Sequence, residues 1–237
     1  MTSARAGSVL WRALAWMAFS VLAVLLLVQL WYLGHLWYWV HHNPGPTSFM
    51  EARFDALQKK KPGARIIQTW VPYESISVHL KRAIIAAEDA KFVDHEGFDW
   101  DGIQHALDKN QRRGKLVAGG STITQQLAKN LFLSGERSWA RKAQEAVIAA
   151  MLEVVMDKRR IFEIYLNVVE WGDDVFGAEA AAQRYFGLRA AQLGPEQGAR
   201  LAAMLPRPRF YQRNRDSQYL VRYSSVILER MPQSRVP

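Results

Sequence analysis

The stretch Glu88-Asp89-Ala90-Lys91-Phe92-Val93-Asp94-His95-Glu96-Gly97-Phe98-Asp99 decides how this chain is read. It follows an apolar helical run, Leu80 to Ala87, which stops abruptly at two carboxylates. A carboxylate at the edge of an apolar surface is costly to ionise, so its pKa rises toward working pH. Glu88 is therefore a candidate general base or acid. A solvated helix end is the competing reading of the same residues.

Helical patterning dominates outward from this point. Ser75 or Ser77 caps the helix that runs through Leu80, Ile84 and Ile85 to Glu88. A second helix opens at Asp99 and covers Ile103 to Leu107, ending in a basic loop of Arg112, Arg113, Gly114 and Lys115. Thr122 with Gln125 three residues on matches a capping box for a third helix that ends near Leu133. Ser138 caps a long fourth helix whose Ala146, Ile148, Ala149, Leu152 and Val155 read as core, with Glu145 heading its polar face. Further helices are expected at 160–168, 178–186 with Gly187 as the cap, 195–205 and 217–231, with Pro206 and Pro208 ending the third of these. Residues 66–71 are the best short strand. The body is thus expected to be mainly α.

The N-terminal region differs in kind. No charged residue lies between Ala13 and Val40, long enough for a transmembrane helix, which needs about 20 apolar residues. Trp31, Tyr32, Trp37, Tyr38 and Trp39 form an aromatic belt at its far end. Arg5 and Arg12 precede it, which by the positive-inside rule puts the N-terminus in the cytoplasm and the body outside. A cleaved signal peptide has an apolar core of only about 7–15 residues, shorter than this run. The expected layout is a cytoplasmic N-terminus over residues 1–12, a transmembrane helix over 13–40, a linker and start of the body over 41–71, and a catalytic domain over 72–237.

The whole chain carries a formal charge of +9 and no Cys. The first favours an anionic partner, and the second removes disulfides, thiolate ligands and Cys nucleophiles. An exported body sets nucleic acid aside and leaves anionic lipid and phosphate-bearing substrates.

Two further stretches carry chemistry. Gly119-Gly120-Ser121-Thr122-Ile123-Thr124-Gln125-Gln126 is uncharged, rich in hydrogen-bonding groups, and leads into a helix N-terminus. Such a terminus favours an anion, and hydroxyls and amides suit sugar or phosphate oxygens. An ordinary capped loop is the plain alternative. Lys129 and Arg137 follow and could grip a pyrophosphate, though each alone reads as a surface charge. Arg141-Lys142-Ala143-Gln144-Glu145 adds a second carboxylate. Glu145 is either the partner of Arg141 four residues earlier, worth about 0.2–0.5 kcal/mol, or half of a pair dividing acid and base duties in glycosyl chemistry. Leu201 to Pro208 and the amphipathic run Lys158 to Asn167 read as packing, with Asn167 capping or bracing a loop.

Taken in order, Glu88-Asp89-x-x-Phe92-x-x-His95-x-Gly97-x-Asp99, the Gly119–Gln126 run, Arg141-Lys142-x-x-Glu145, and Lys158-x-x-Ile161-x-Glu163-x-Tyr165-Leu166-Asn167 resemble the peptidoglycan glycosyltransferases. The likeness covers roughly Pro72 to Pro208, and the short chain resembles the monofunctional, membrane-anchored members. The Ser-x-x-Lys and Lys-Thr-Gly of an added transpeptidase do not occur. The resemblance implies a lysozyme-like helical domain with a smaller membrane-associated lobe. It also implies polymerisation of lipid II, a disaccharide-peptide on an undecaprenyl pyrophosphate, at the bacterial inner membrane.

By that resemblance Glu88 is the catalytic base and Glu145 a second catalytic carboxylate near the donor pyrophosphate. Ser121, Thr122, Gln125, Gln126, Lys129, Arg137 and Lys142 would contact substrate. Asp89, Phe92, His95, Gly97, Asp99, Gly119, Gly120, Asn130, Arg141, Tyr165 and Asn167 would shape the site. A divalent cation, Mg or Mn, is compatible with the pyrophosphate position. Lipid II, the growing glycan strand, the membrane and other cell-wall proteins are the expected partners. Ala118, where many relatives have Gln, and Phe162, where Leu is usual, depart from the family pattern.

Overall fold

The computed structural model describes residues 2–114, 120–133 and 138–237. It divides into two units, Met1–His42 and Asn43–Pro237. The first is a single helix, α1 (Thr2–Trp39), whose stretch Trp11–Trp39 is long and apolar enough to cross a membrane. The helix does not begin at Ala13: it carries Arg5 and Arg12 in its own first turns. Near its C-terminal end the His35 ring packs 4.1 Å from Trp31 and 5.6 Å from Trp39.

The second unit is mainly α. A helix the sequence reading left inside the linker, α2 (Ser48–Lys60), comes first, capped by Thr47, whose side chain accepts from the Met50 N–H. Then follow β1 (Ile67–Gln68), α3 (Val78–Glu88), α4 (Trp100–Arg113), α5 (Ile123–Phe132), α6 (Trp139–Val155), α7 (Lys158–Val168), β2 (Val175–Phe176), α8 (Ala178–Phe186), α9 (Pro195–Met204), α10 (Pro208–Arg213) and α11 (Gln218–Arg230). The strand expected at 66–71 is only the two residues of β1, paired in parallel with β2. The rest of that stretch is held by a side chain instead. Asn167, fully buried at the end of α7, accepts from the Val71 N–H and donates to the Val71 carbonyl.

Two helix groups carry the core. In one, α3 packs on α9 and α9 on α11. The approach is close because residue 198 is glycine: a Cβ there would stand 3.0 Å from the His79 backbone. In the other, α5 packs between α2, α6 and α7. Its buried face is Ile123, Leu127, Ala128 and Leu131, at the spacing of a helix that buries one side. Phe162 lies in the core, its ring 5.4 Å from that of Phe92, so this departure is an interior packing change. Ala118 falls outside the described residues.

The two groups meet where α3 ends and α5 begins. Asp89, the residue after α3, turns its Oδ2 onto the Ile123 N–H at 3.0 Å, the first N–H of α5. A carboxylate is favoured there because the N-terminal amides of a helix are unsatisfied and partly positive. Its Oδ1 lies 2.9 Å from His95 Nε2. Thr122 donates to the Gly97 carbonyl at 2.7 Å. Gly97 takes φ +83°, and a Cβ there would press at 3.1 Å on the Glu153 side chain. The opening stretch is therefore a connector that fixes one helix end against the start of another.

Candidate active site

That junction positions Glu88. It is the last residue of α3, and its side chain is half-buried against α5. Its Oε2 accepts a 2.7 Å hydrogen bond from Gln126 Nε2. Gln126 Oε1 in turn accepts from the Tyr165 hydroxyl at 3.1 Å. Among the described residues Glu88 Oε1 has no hydrogen-bond partner, leaving it able to accept a proton.

Burial pushes the Glu88 carboxyl up, while the Gln126 hydrogen bond and the Lys129 charge pull it down. Tyr165 is wholly buried, and that burial holds its hydroxyl far above the usual range. Tyr165 is therefore a neutral O–H donor at working pH.

One turn along α5, Gln126 and Lys129 line a cavity of about 820 Å³, together with Asn130 and with Arg141 of α6. Burial lowers the Lys129 ammonium, and the Glu145 charge partly restores it. Glu145 is buried, contrary to its expected place on a polar face. It shares a side of α6 with Ile148, Ala149 and Leu152. It is tolerated there because two cations meet it: Arg141 Nη1 at 2.8 Å and Lys142 Nζ. Lys142 also donates to Ser121 Oγ at 3.2 Å. The far wall of the cavity is basic as well, formed by Arg207, Arg209 and Arg213 after α9, and by Arg53 and Lys60 of α2.

A carboxylate base beside a cavity lined with cations suits a substrate that offers both a hydroxyl proton and phosphate charge. Metal chemistry fits the residues less well. Among the described residues no three His, Cys, Asp or Glu side chains come together, and both Glu145 oxygens are already engaged by cations. The donor set is that of an anion site.

Residues 56–232 match the Transglycosylase family, which spans most of the body. The chain belongs to the transglycosylase family. It is 60% identical over 231 residues to a protein named biosynthetic peptidoglycan transglycosylase from Dechloromonas aromatica (strain RCB), covering 97% of this chain and 99% of that one. It is similar to proteins of the same name from Azoarcus sp. (strain BH72), at 60% identity over 96% of this chain and 98% of the other, and from Janthinobacterium sp. (strain Marseille), at 57% over 97% and 99%.

Within this transglycosylase the expected site residues fall into distinct groups. Glu88, Gln126, Lys129, Asn130, Arg141, Lys142, Glu145 and Ser121 lie around the cavity or are joined to its edge by hydrogen bonds. Thr122 and Gln125 do not face it. Both are buried, and they satisfy each other in the capping box: the Gln125 N–H reaches Thr122 Oγ1 while Gln125 Oε1 accepts from the Thr122 N–H. Asp89, Phe92, His95, Gly97 and Asp99 shape the α3–α5 junction. Asp99 caps α4 through the Gly102 N–H at 3.0 Å. Gly120 lies against Ile103 of α4, its Cβ position 3.1 Å from that backbone. Asn167 braces residue 71. Gly119 and Arg137 lie outside the described residues.

The sequence reading missed Arg53, Glu170, Arg207, Arg209 and Arg213. The alternation Arg207-Pro208-Arg209 after an apolar helix was their one local signal. Nothing local marked Glu170.

Proposed function

We propose that this transglycosylase polymerises lipid II into linear glycan strands by inverting glycosyl transfer and releases undecaprenyl diphosphate. The observation that carries the reading is Glu88, held by Gln126 beside a cavity lined by Lys129 and Arg141, with Lys142 paired to the same Glu145 as Arg141. Glu88 takes the proton of the acceptor's 4-hydroxyl as that oxygen attacks the anomeric carbon of the growing strand. The bond from that carbon to the diphosphate oxygen breaks on the opposite face, and the diphosphate leaves with its electron pair. Inversion follows from a single displacement with one base and no enzyme nucleophile.

Lys129, Arg141 and Lys142 meet the charge that develops on the departing diphosphate. Arg137 is proposed to join them. Glu145 acts through these cations, orienting Arg141 and Lys142 rather than touching the reacting oxygen.

We assign residues 13–40 to a single membrane span of the bacterial inner membrane, with residues 1–12 in the cytoplasm, 41–71 as linker and start of the body, and the catalytic domain, 72–237, outside. This rests on Arg5 and Arg12 preceding the apolar run and on the undecaprenyl tail of the proposed substrate.

Purified lipid II tests the reading. Long glycan accumulating with consumption of lipid II supports it. Loss of preformed glycan without lipid II consumption would instead mark a lytic enzyme.

A further inference from the structure

The Gln126 amide holds the side chain of Glu88, and a second group holds its main chain. Glu88 closes the last turn of α3, where carbonyls run out of helical N–H donors. The Asp89 N–H ends the ladder on the Ile85 carbonyl at 3.0 Å, and among the described residues no backbone N–H reaches the Ala87 carbonyl. The Tyr223 hydroxyl reaches it instead, donating at 3.1 Å from α11, 136 positions along the chain.

The periodicity of α11 brings Tyr223 there. Leu220 and Ile227 are buried, and Tyr223 stands on the same side of the helix as both, half-buried where α11 packs on α3. Its ring is held in turn. The ring centroid lies 5.6 Å from that of Tyr219, which stacks on Tyr211 of α10 at 5.7 Å with the planes 6° apart. Burial pushes the Tyr223 phenol up to about 12, and the neighbouring Glu88 charge adds to the shift, so Tyr223 stays a neutral donor at working pH.

Packing of α11 on α3 asks only for the ring. The hydroxyl is set on one acceptor, the carbonyl of the peptide that joins Ala87 to Glu88. That peptide is planar and carries the Glu88 nitrogen, so fixing its carbonyl fixes the direction in which the Glu88 side chain leaves the helix.

We infer that Tyr223 is a positioning residue for the reaction: its hydroxyl clamps the Ala87–Glu88 peptide and so aims the Glu88 carboxylate at the acceptor hydroxyl. It acts through Glu88 and touches no reacting atom. The inference rests on the glycosyltransferase reading and adds to it a residue from the far end of the body.

The test compares full-length wild type, Tyr223→Phe, Glu88→Gln and the double variant on purified lipid II. Tyr223→Phe keeps the ring and loses only the hydroxyl. A misplacement of about 1 Å can cost about a hundredfold in rate, and a loosened helix end is expected to give part of that: a kcat lowered roughly tenfold with KM within about twofold of wild type. The melting temperature is expected to stay within a few degrees. In the Glu88→Gln background no base remains to be aimed, so the same substitution is expected to leave the residual rate unchanged. Placing p-aminophenylalanine at position 223, which carries an N–H donor where the hydroxyl stood, is expected to restore kcat.

A kcat for Tyr223→Phe within about twofold of wild type overturns the inference. An equal proportional loss in the Glu88→Gln background does so too, since the hydroxyl would then serve the fold or substrate binding rather than the base. Failure of p-aminophenylalanine to restore the rate counts the same way. A wild type that makes no glycan from lipid II contradicts the glycosyltransferase reading itself, and the inference falls with it.

Discussion

At Glu88, burial and hydrogen bonding oppose each other, and burial is the larger effect. Its carboxyl therefore titrates higher in the folded chain than in the unfolded one. The folded state binds this proton more tightly, so ionisation costs stability as pH rises through the ordinary glutamate range toward the folded value. Glu88→Gln removes that cost. Its melting temperature is expected to equal or exceed that of the wild type at pH 7, with the difference vanishing at pH values below the ordinary glutamate pKa. Calorimetry at both pH values checks this; a large loss of stability at pH 7 would show that the charge supports the fold. Tyr165 acts on the same carboxylate at one remove. Its hydroxyl fixes the Gln126 amide so that the NH₂ end faces Glu88. In Tyr165→Phe the amide is free to turn its oxygen toward the carboxylate, which disfavours the charged form. The acid limb of the rate profile should move to higher pH, with activity at neutral pH falling several-fold. An acid limb that stays in place would remove Tyr165 from this role. The place of Glu88 at the end of α3 was legible in the sequence because its signal is local, an apolar helix stopping at a carboxylate. Its Gln126–Tyr165 support joins residues 39 positions apart, and no local pattern announces it.

The capping box that opens α5 was read correctly from Thr122 and Gln125, but its consequence was not. Side chains that look suited to bind sugar are turned inward to satisfy helix amides, and Thr122 also anchors the Gly97 carbonyl. Replacing a cap residue by alanine costs about 1 kcal/mol. Thr122→Ala loses the Gly97 bond as well and is expected to destabilise by about 2 kcal/mol. A chemical denaturation midpoint measures this, and a change below about 0.5 kcal/mol would mean that the junction is held elsewhere. On α6, periodicity found Ile148, Ala149 and Leu152 but put Glu145 on the wrong side, because hydropathy alone cannot foresee a carboxylate buried beneath its own Arg141 and Lys142. The helix α2 was missed for the opposite reason: its sequence mixes charged and apolar residues without a clear stripe, and its place is set by packing on α5.

Across the whole molecule, the division into one long apolar helix and a mainly-α body was plain in the sequence, since both depend on composition and period. The cavity was not. Its walls come from α2, α5, α6 and the segments after α7 and α9, and its basic character appears only when Arg53, Lys129, Arg141 and Arg209 are brought together. The anchor and the cavity belong to one function if the substrate is a membrane lipid. Removing residues before His41 should then reduce turnover of bilayer-embedded lipid II well beyond its effect on detergent-dispersed substrate, because the anchor raises local concentration only at a membrane. Equal loss in both settings would show that the helix is needed for the body itself.

Everything proposed for the reaction turns on Glu88 as the base. Initial rates of glycan formation from purified lipid II, compared between the wild type and Glu88→Gln, test it most directly. A loss of at least about a hundredfold, the range of general-base catalysis, is expected in a variant whose circular dichroism matches the wild type and whose melting temperature is no lower. Turnover within a few fold of wild type in that folded variant would contradict it.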